Sequence, residues 1–209
     1  MPTIAFVTYR ELPQLTAEDR MLCASLQRHG VATTAAVWDD PEIDWNAYGA
    51  VVVRSCWDYH TRAPAFSDWL AALERRGVRL WNPAAILRWN MHKTYLRDLQ
   101  AQGVAIPPTC WLEQGDQANL ETLLVAHGWD EVVVKPAVSA TAYQTWRTNR
   151  THAGRDQARF AAHLQQSDVL VQRFMEQVVD AGEWSLVFFQ KQYSHAVLKK
   201  AQAGDFRVQ

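Results

Sequence analysis

The sequence predicts an α/β protein whose N-terminal part is a doubly wound parallel sheet and whose remainder is a mixed α+β domain. Three observations carry the prediction. Short apolar runs alternate with helix-period segments up to about residue 90, the pattern of strands joined by crossover helices. Beyond that point, strands stopped by proline or followed by small-residue loops replace the regular alternation. The composition of the 209 residues, 48% hydrophobic and 21% charged, is that of a folded chain long enough for one large core or two modest ones.

Ile4-Ala5-Phe6-Val7 is the first strand. Thr16 with Asp19 three residues on forms a capping box, and Met21, Leu22 and Leu26 supply the apolar side of the helix that follows. Thr34–Trp38 and Ala50–Val53 are the second and third strands, the latter running into Arg54-Ser55-Cys56-Trp57-Asp58. Phe66, Trp69, Leu70 and Leu73 recur at helical spacing and Gly77 ends that helix. Val78–Trp81 is a fourth strand, broken by Asn82-Pro83. Met91, Tyr95, Leu96 and Leu99 then mark a helix ending at Gly103, with Lys93 on its polar side. Pro107-Pro108 opens an extended segment to Trp111, and Leu120, Leu123 and Leu124 mark another helix. Val132-Val133-Val134-Lys135-Pro136 is a buried strand stopped by proline, with a facing strand within Ala142–Thr148. Phe160 and Leu164 anchor a further helix, and Val169–Gln172, Trp184–Phe189 and Ala196–Lys199 are strands. The domain boundary falls near residues 85–92.

A net charge of −1 offers no electrostatic footprint for nucleic acid. No apolar run approaches the roughly 20 residues that cross a bilayer, and the first residues read as a strand rather than a signal peptide. Cys23, Cys56 and Cys110 show neither CxxC nor zinc spacing, and a reducing cytoplasm is expected. Ten tryptophans are far above usual, and core and interface packing accounts for most of them. Lysine occurs five times against sixteen arginines, so Lys93 and Lys135, each isolated, invite a reason.

A dinucleotide site would need GxGxxG after the first strand, yet that loop is Thr8-Tyr9-Arg10-Glu11-Leu12-Pro13 and holds no glycine. A Walker A loop and a GxSxG elbow are absent as well. His60 and His92 lack spaced metal partners, and Asp39-Asp40 reads as a solvated turn. Lys135 offers another way to hold phosphate: it ends a valine strand and precedes Ala-Val-Ser-Ala-Thr-Ala, where small residues admit close backbone approach. Taken alone, a strand-terminal lysine reaching to solvent is the better explanation.

The ordered series changes the weighing. It runs Asn82-Pro83, Lys93, Gly103–Thr109, the VVVKP strand, Val171–Met175, Gly182-Glu183-Trp184-Ser185 and Gly204-Asp205-Phe206-Arg207. It resembles the ATP-grasp superfamily, in the branch of bacterial glutathione synthetase, ribosomal-protein glutamate ligase and cycloserine-forming ligases. Arg54–Tyr59 and Gly182–Phe189 look like signatures of a bacterial group within that branch. The resemblance implies a Rossmann-like pre-ATP-grasp domain over residues 1–90, a lid subdomain over 91–168, and the start of the C-terminal ATP-grasp subdomain over 169–209. It implies ATP and Mg²⁺ as cofactors and an acyl-phosphate route from an acid and an amine to an amide. Lys93 and Lys135 would clamp the ATP phosphates, and Ser139-Ala140-Thr141 would form the lid loop over them. Gln172, Arg173, Phe174 and Met175 would be the hinge beside adenine, and Glu183 would accept from the ribose hydroxyls. Lys199 and Arg207 would face the transferred phosphoryl group.

Tyr9, Arg10, Arg54 and Ser55 lie at the sheet's carboxyl edge, where Arg10 or Arg54 would grip the carboxylate of an amino-acid-like or peptide-like substrate. A structural ion pair with Asp58 is the competing role for these arginines. The chain departs from the family in having His92 where Asp usually precedes the lysine, and Ser, Ala and Thr in a lid loop that is usually glycine-rich. After Glu183 its one acidic residue is Asp205. The magnesium carboxylates are therefore expected in a longer parent protein, and the piece ending at Gln209 is expected to bind nucleotide without turning it over. No nucleic acid or membrane partner is expected, and self-association into a homo-oligomer stays open.

Overall fold

The computed structural model describes residues 3–202, and they fall into two compact units. One takes in the described residues up to Tyr95 together with Val138–Ala140; the other runs Leu96–Ala137 and onward from Thr141.

In the first unit, β1 (Ile4–Thr8), β2 (Thr33–Val37), β3 (Ala50–Val53) and β4 (Leu80–Trp81) form a parallel sheet in the order β2-β1-β3-β4. Burial on both faces explains why β1 reads as a continuous apolar run. The helix α2 (Ala63–Arg75) buries Phe66, Leu70 and Leu73, the predicted stripe, and Gly77 leaves it in the left-handed conformation (φ 68°). Trp38 and Trp69 meet Phe66, and Trp69 also meets Trp38 and Trp45, edge-on or tilted with ring centroids 5.1–6.0 Å apart, so three of the ten tryptophans build this core while Trp57, Trp81, Trp89 and Trp184 are exposed.

The helix α1 (Ala17–Arg28) departs from expectation. Its N-cap Thr16 accepts from the Asp19 amide as the sequence suggested, but Met21 and Leu22 are exposed and its buried residue is Asp19. The predicted helix around Lys93 is also broken in two: α3 (Ala84–Met91) and α4 (Tyr95–Ala101), with Lys93 in the gap. The i, i+4 spacing of Met91 and Tyr95 spans the break and hid it.

In the second unit, β5 (Thr109–Leu112), β6 (Glu131–Pro136), β7 (Trp146–Asn149) and β8 (Val169–Arg173) form an antiparallel sheet in the order β5-β8-β6-β7. Period-two alternation gives it two unlike faces. Cys110, Leu112, Val132, Val134, Trp146, Val169 and Val171 pack with α5 (Leu120–His127) and α6 (Ala153–Gln166) in one core. Asn119 caps α5 by accepting from the Thr122 amide at 2.8 Å, and Gly128 ends it at φ 66°. After a short turn of helix, α7 (Gln177–Asp180), the strands β9 (Glu183–Phe189) and β10 (Gln192–Lys199) make an antiparallel hairpin. Among the described residues no helix is long and apolar enough to cross a membrane.

Candidate functional site

Register decides which side chains share the sheet face opposite α5 and α6. Val133 pairs with Gln172 and Arg147, Lys135 with Leu170, and Thr109 with Gln172. Directly opposed residues point the same way, so Thr109, Gln172, Lys135, Arg147 and Glu131 decorate one largely polar face. Lys135 is half-buried there, and its ammonium makes no hydrogen bond to any described residue. Burial lowers its pKa to about 8, against the opposing pull of the Glu183 carboxylate.

At the end of β8 the backbone is largely committed. The Arg173 amide donates to Pro108 O and the Phe174 amide to Glu131 O, each at 2.9 Å. The Met175 carbonyl accepts from Val178, while the Met175 amide has no acceptor among the described residues. The Gln172 side chain, buried, donates to Thr109 Oγ1 at 2.8 Å, and Thr109 donates on to Pro107 O at 2.7 Å. Glu131 holds Arg147 through both carboxylate oxygens at 2.5 and 2.6 Å, and the Arg147 guanidinium lies 3.7 Å over the Phe174 ring. That clamp on Phe174, in the segment expected to be the hinge, was not legible in the sequence, because it joins three parts of the chain.

Glu183 and Lys199 are direct partners across the hairpin, so they share one of its faces. Gly182 makes the approach possible: at φ 90° a Cβ there would stand 2.5 Å from Lys199 O. Arg207 lies outside the described residues.

In the first unit the Lys93 ammonium donates to both Ser139 O (2.7 Å) and Ser139 Oγ (2.8 Å). Ser139 is buried and Ala140 half-buried. In the following stretch, Thr141, Ala142 and Gln144 have φ of 49°, 55° and 51°. Left-handed backbone at non-glycine residues costs of order 1–2 kcal/mol each, and here it occupies the loop where glycines were expected.

The substrate-side residues are sorted by their partners. Arg10 Nε lies 3.0 Å from Asp39 Oδ2, so this arginine is tied to the turn after β2. Arg54 donates from Nε (2.8 Å) and NH2 (2.6 Å) to Asp19 Oδ1, and Ser55 Oγ donates to the other oxygen of Asp19. Asp58, the partner in the competing reading, accepts from Trp38 Nε1 at 3.0 and 3.2 Å and lies 3.7 Å from Arg62 NH1 instead. Tyr9 packs against the first core, its ring 6.4 Å from that of Trp57. Burial pushes the Cys56 thiol well up, so it stays protonated and unreactive.

Among the described residues no group of three or more His, Cys, Asp or Glu side chains could hold a metal ion.

Residues 4–82 match the family model described as the N-terminal domain of the D-cycloserine synthetase DcsG. The cycloserine biosynthesis protein DcsG of Streptomyces lavendulae is 35% identical over 180 residues, covering 82% of this chain. The chain spans 58% of the length of that curated relative. The crystal structure of D-cycloserine synthetase DcsG superposes with a TM-score of 0.87 at 30% identity, over 95% of this chain and 68% of that one. An ATP-grasp protein of the RimK domain type from Sphaerobacter thermophilus superposes at 0.61 with 18% identity, over 83% of this chain and 64% of that one, which speaks to the fold.

Proposed function

The chain belongs to the ATP-grasp ligase family, and from that premise we propose that it supplies the nucleotide-clamping part of an ATP-dependent carboxylate–amine ligase. The observation that carries the proposal is Lys135, a half-buried ammonium with no hydrogen bond among the described residues. Keeping a cation out of water without a partner is unfavourable, so the position answers to a ligand rather than to the fold. A phosphate oxygen would restore what burial removes.

In this reading Lys135 and Lys93 neutralise the ATP phosphates, and Lys93 exchanges Ser139 for phosphate oxygens as Ser139-Ala140-Thr141 closes over them. The Met175 amide donates to the adenine edge. Phe174, fixed by Arg147, and Met175 line the apolar slot beside it, with Gln172 and Arg173 setting the strand that carries them. Glu183 accepts from ribose hydroxyls, and Lys199 beside it faces the γ-phosphate. A carboxylate oxygen of the acid attacks the γ-phosphorus and ADP leaves. The amine then attacks the carbonyl carbon of the acyl-phosphate, phosphate departs, and the nitrogen sheds a proton. The chain's own contribution is positioning and charge neutralisation. The described residues do not offer a group of three or more His, Cys, Asp or Glu side chains for magnesium.

The test compares Lys135→Ala with Lys191→Ala, an exposed lysine of the hairpin turn, by calorimetric titration with ATP. A charge-assisted contact is worth about 1.5–3 kcal/mol, so the first variant is expected to bind at least tenfold more weakly and the second as the unaltered chain does. Equal affinities would remove Lys135 from the phosphate clamp.

A further inference from the structure

We propose that the outer edge of β2 pairs with the same edge of a second copy, antiparallel about Ala35, so that two four-stranded sheets run on as one. The inference stands on the first unit alone and does not depend on the ligase reading.

β2 stands at the end of its sheet, with β1 on one side only. Ala32 O accepts from the Ile4 amide at 2.9 Å, and the Trp38 amide donates to Thr8 O at 3.0 Å, so the even-numbered residues of β2 face β1. Period two then turns the amides and carbonyls of Thr33, Ala35 and Val37 outward. Proteins guard such edges with charge, proline, bulges or brevity. β4, at the far end of the sheet, is two residues long and runs into Asn82-Pro83. In the second unit β5 follows Pro107-Pro108 and β7 carries Arg147. Residues 31–37 have no charge and no proline, and β2 runs against β1 without a bulge. Thr34 and Ala35 are exposed.

The helix beside this edge departs from rule as well. α1 packs against β2, yet it leaves Met21 73% and Leu22 39% exposed while burying Asp19. Apolar side chains turned outward at the flank of an open edge extend the surface that a partner would cover. Charge selects a second copy and sets its direction. Arg28 and His29 stand just before β2, and Asp40 and Glu42 just after it; all but Asp40 are exposed. Asp39 between them is engaged by Arg10 and Arg62. Antiparallel pairing about Ala35 sets the basic lead-in of each copy beside the acidic turn of the other, twice across the two-fold axis. Parallel pairing would set like charge beside like. The register follows: Ala35 meets the Ala35 of the second copy as a hydrogen-bonded pair and Thr33 meets Val37, for about six backbone bonds in all. So short an edge gives a contact at the small end of specific interfaces, and the dimer is therefore weak.

The experiment is sedimentation equilibrium of the full chain from about 1 to 200 µM, where monomer is expected to pass into dimer. Amide exchange followed along the same series is expected to slow at least threefold at Thr33, Ala35 and Val37. Thr34 and Ala36, already bonded to β1, are expected to stay as they are. Ala35→Pro removes an outward donor and none that β1 uses, and it is expected to weaken the dimer at least tenfold. Met21→Lys puts a charge at an exposed position of α1 and is expected to do the same, which keeps the test decisive if the proline variant folds poorly. Arg28→Glu is expected to weaken the dimer at least threefold, and adding Glu42→Arg to restore it. The other exposed apolar surface is the β9–β10 hairpin, with Trp184 62% and Phe188 53% exposed, and Phe188→Ser is expected to leave the dimer unchanged. A monomer at every concentration overturns the proposal. So does unaltered exchange at Ala35, or a dimer lost in Phe188→Ser but indifferent to Ala35→Pro and Met21→Lys.

Discussion

Lys135 carries a cost that can be measured apart from any ligand. Its pKa falls from 10.5 to about 8 because burial disfavours the ammonium, with Glu183 only partly compensating. Below pH 8 the lysine is protonated in both folded and unfolded chains, so folding bears the full penalty. Between pH 8 and 10.5 the unfolded chain binds more protons, so stability rises with pH through that window. Lys135→Met is therefore expected to stabilise the second unit by about 1–3 kcal/mol at pH 7, with the gain fading toward pH 10.5, as followed by denaturant unfolding at several pH values. ATP affinity should move the other way, falling as pH rises through 8 in the unaltered chain and staying flat in Lys135→Ala. A stability difference independent of pH would mean that the ammonium is better solvated than its burial implies. Lys93 and Lys135 stand out in the sequence because lysine is scarce in this chain. The partners of Arg54 and Arg10 do not. Asp19 lies 35 residues before Arg54, on a helix whose apolar pattern pointed to Met21 and Leu22. A carboxylate that turns inward to meet an arginine leaves no periodic trace in sequence.

At the scale of elements, β6 shows how an apolar run can mislead about faces. Three consecutive valines read as a strand buried on both sides, whereas Val132 and Val134 enter the core with α5 and α6 and Val133 stays half-buried on the face of Lys135. Strands, helices and caps with a repeating period were legible; the break at 92–94 and the left-handed loop at 141–144 were not, since neither has one. The hairpin β9–β10 is tightly constrained at its start. Gly182 packs against Lys199 O and Leu198, and a Cβ would lie 2.5 Å from that carbonyl and 2.9 Å from Leu198 Cδ1. A side chain would also be strained at φ 90°. Gly182→Ala is expected to cost about 1–3 kcal/mol and to part Glu183 from Lys199, weakening ATP binding as well. Gly154→Ala, with open space around its Cβ and a place in α6, should be neutral or mildly stabilising. Unchanged hydrogen exchange across β9 and β10 in Gly182→Ala would count against the close approach.

At the scale of the whole molecule, two hydrophobic clusters among the described residues share no residue. One is built on β1, β3 and α2 around Phe66 and Leu70, the other on β6, β8, α5 and α6 around Phe160 and Leu164. Cooperativity follows the contiguity of a core, so each unit should unfold with its own transition. Leu70→Ala removes a fully buried side chain from the first cluster and Phe160→Ala one from the second. Such truncations cost about 2–5 kcal/mol, and each is expected to lower one transition in a calorimetric scan and spare the other. The nucleotide adds a further distinction. Of the residues proposed to hold the nucleotide, Lys135, Met175, Phe174 and Glu183 belong to the second unit and Lys93 to the first. A ligand stabilises the state that binds it in proportion to its affinity, so ATP should raise the transition that Phe160→Ala lowers by more than the one Leu70→Ala lowers. A single transition shifted equally by both truncations would show that the two cores melt as one. ATP acting first on the Leu70 transition would move the weight of the nucleotide site from Lys135 to Lys93.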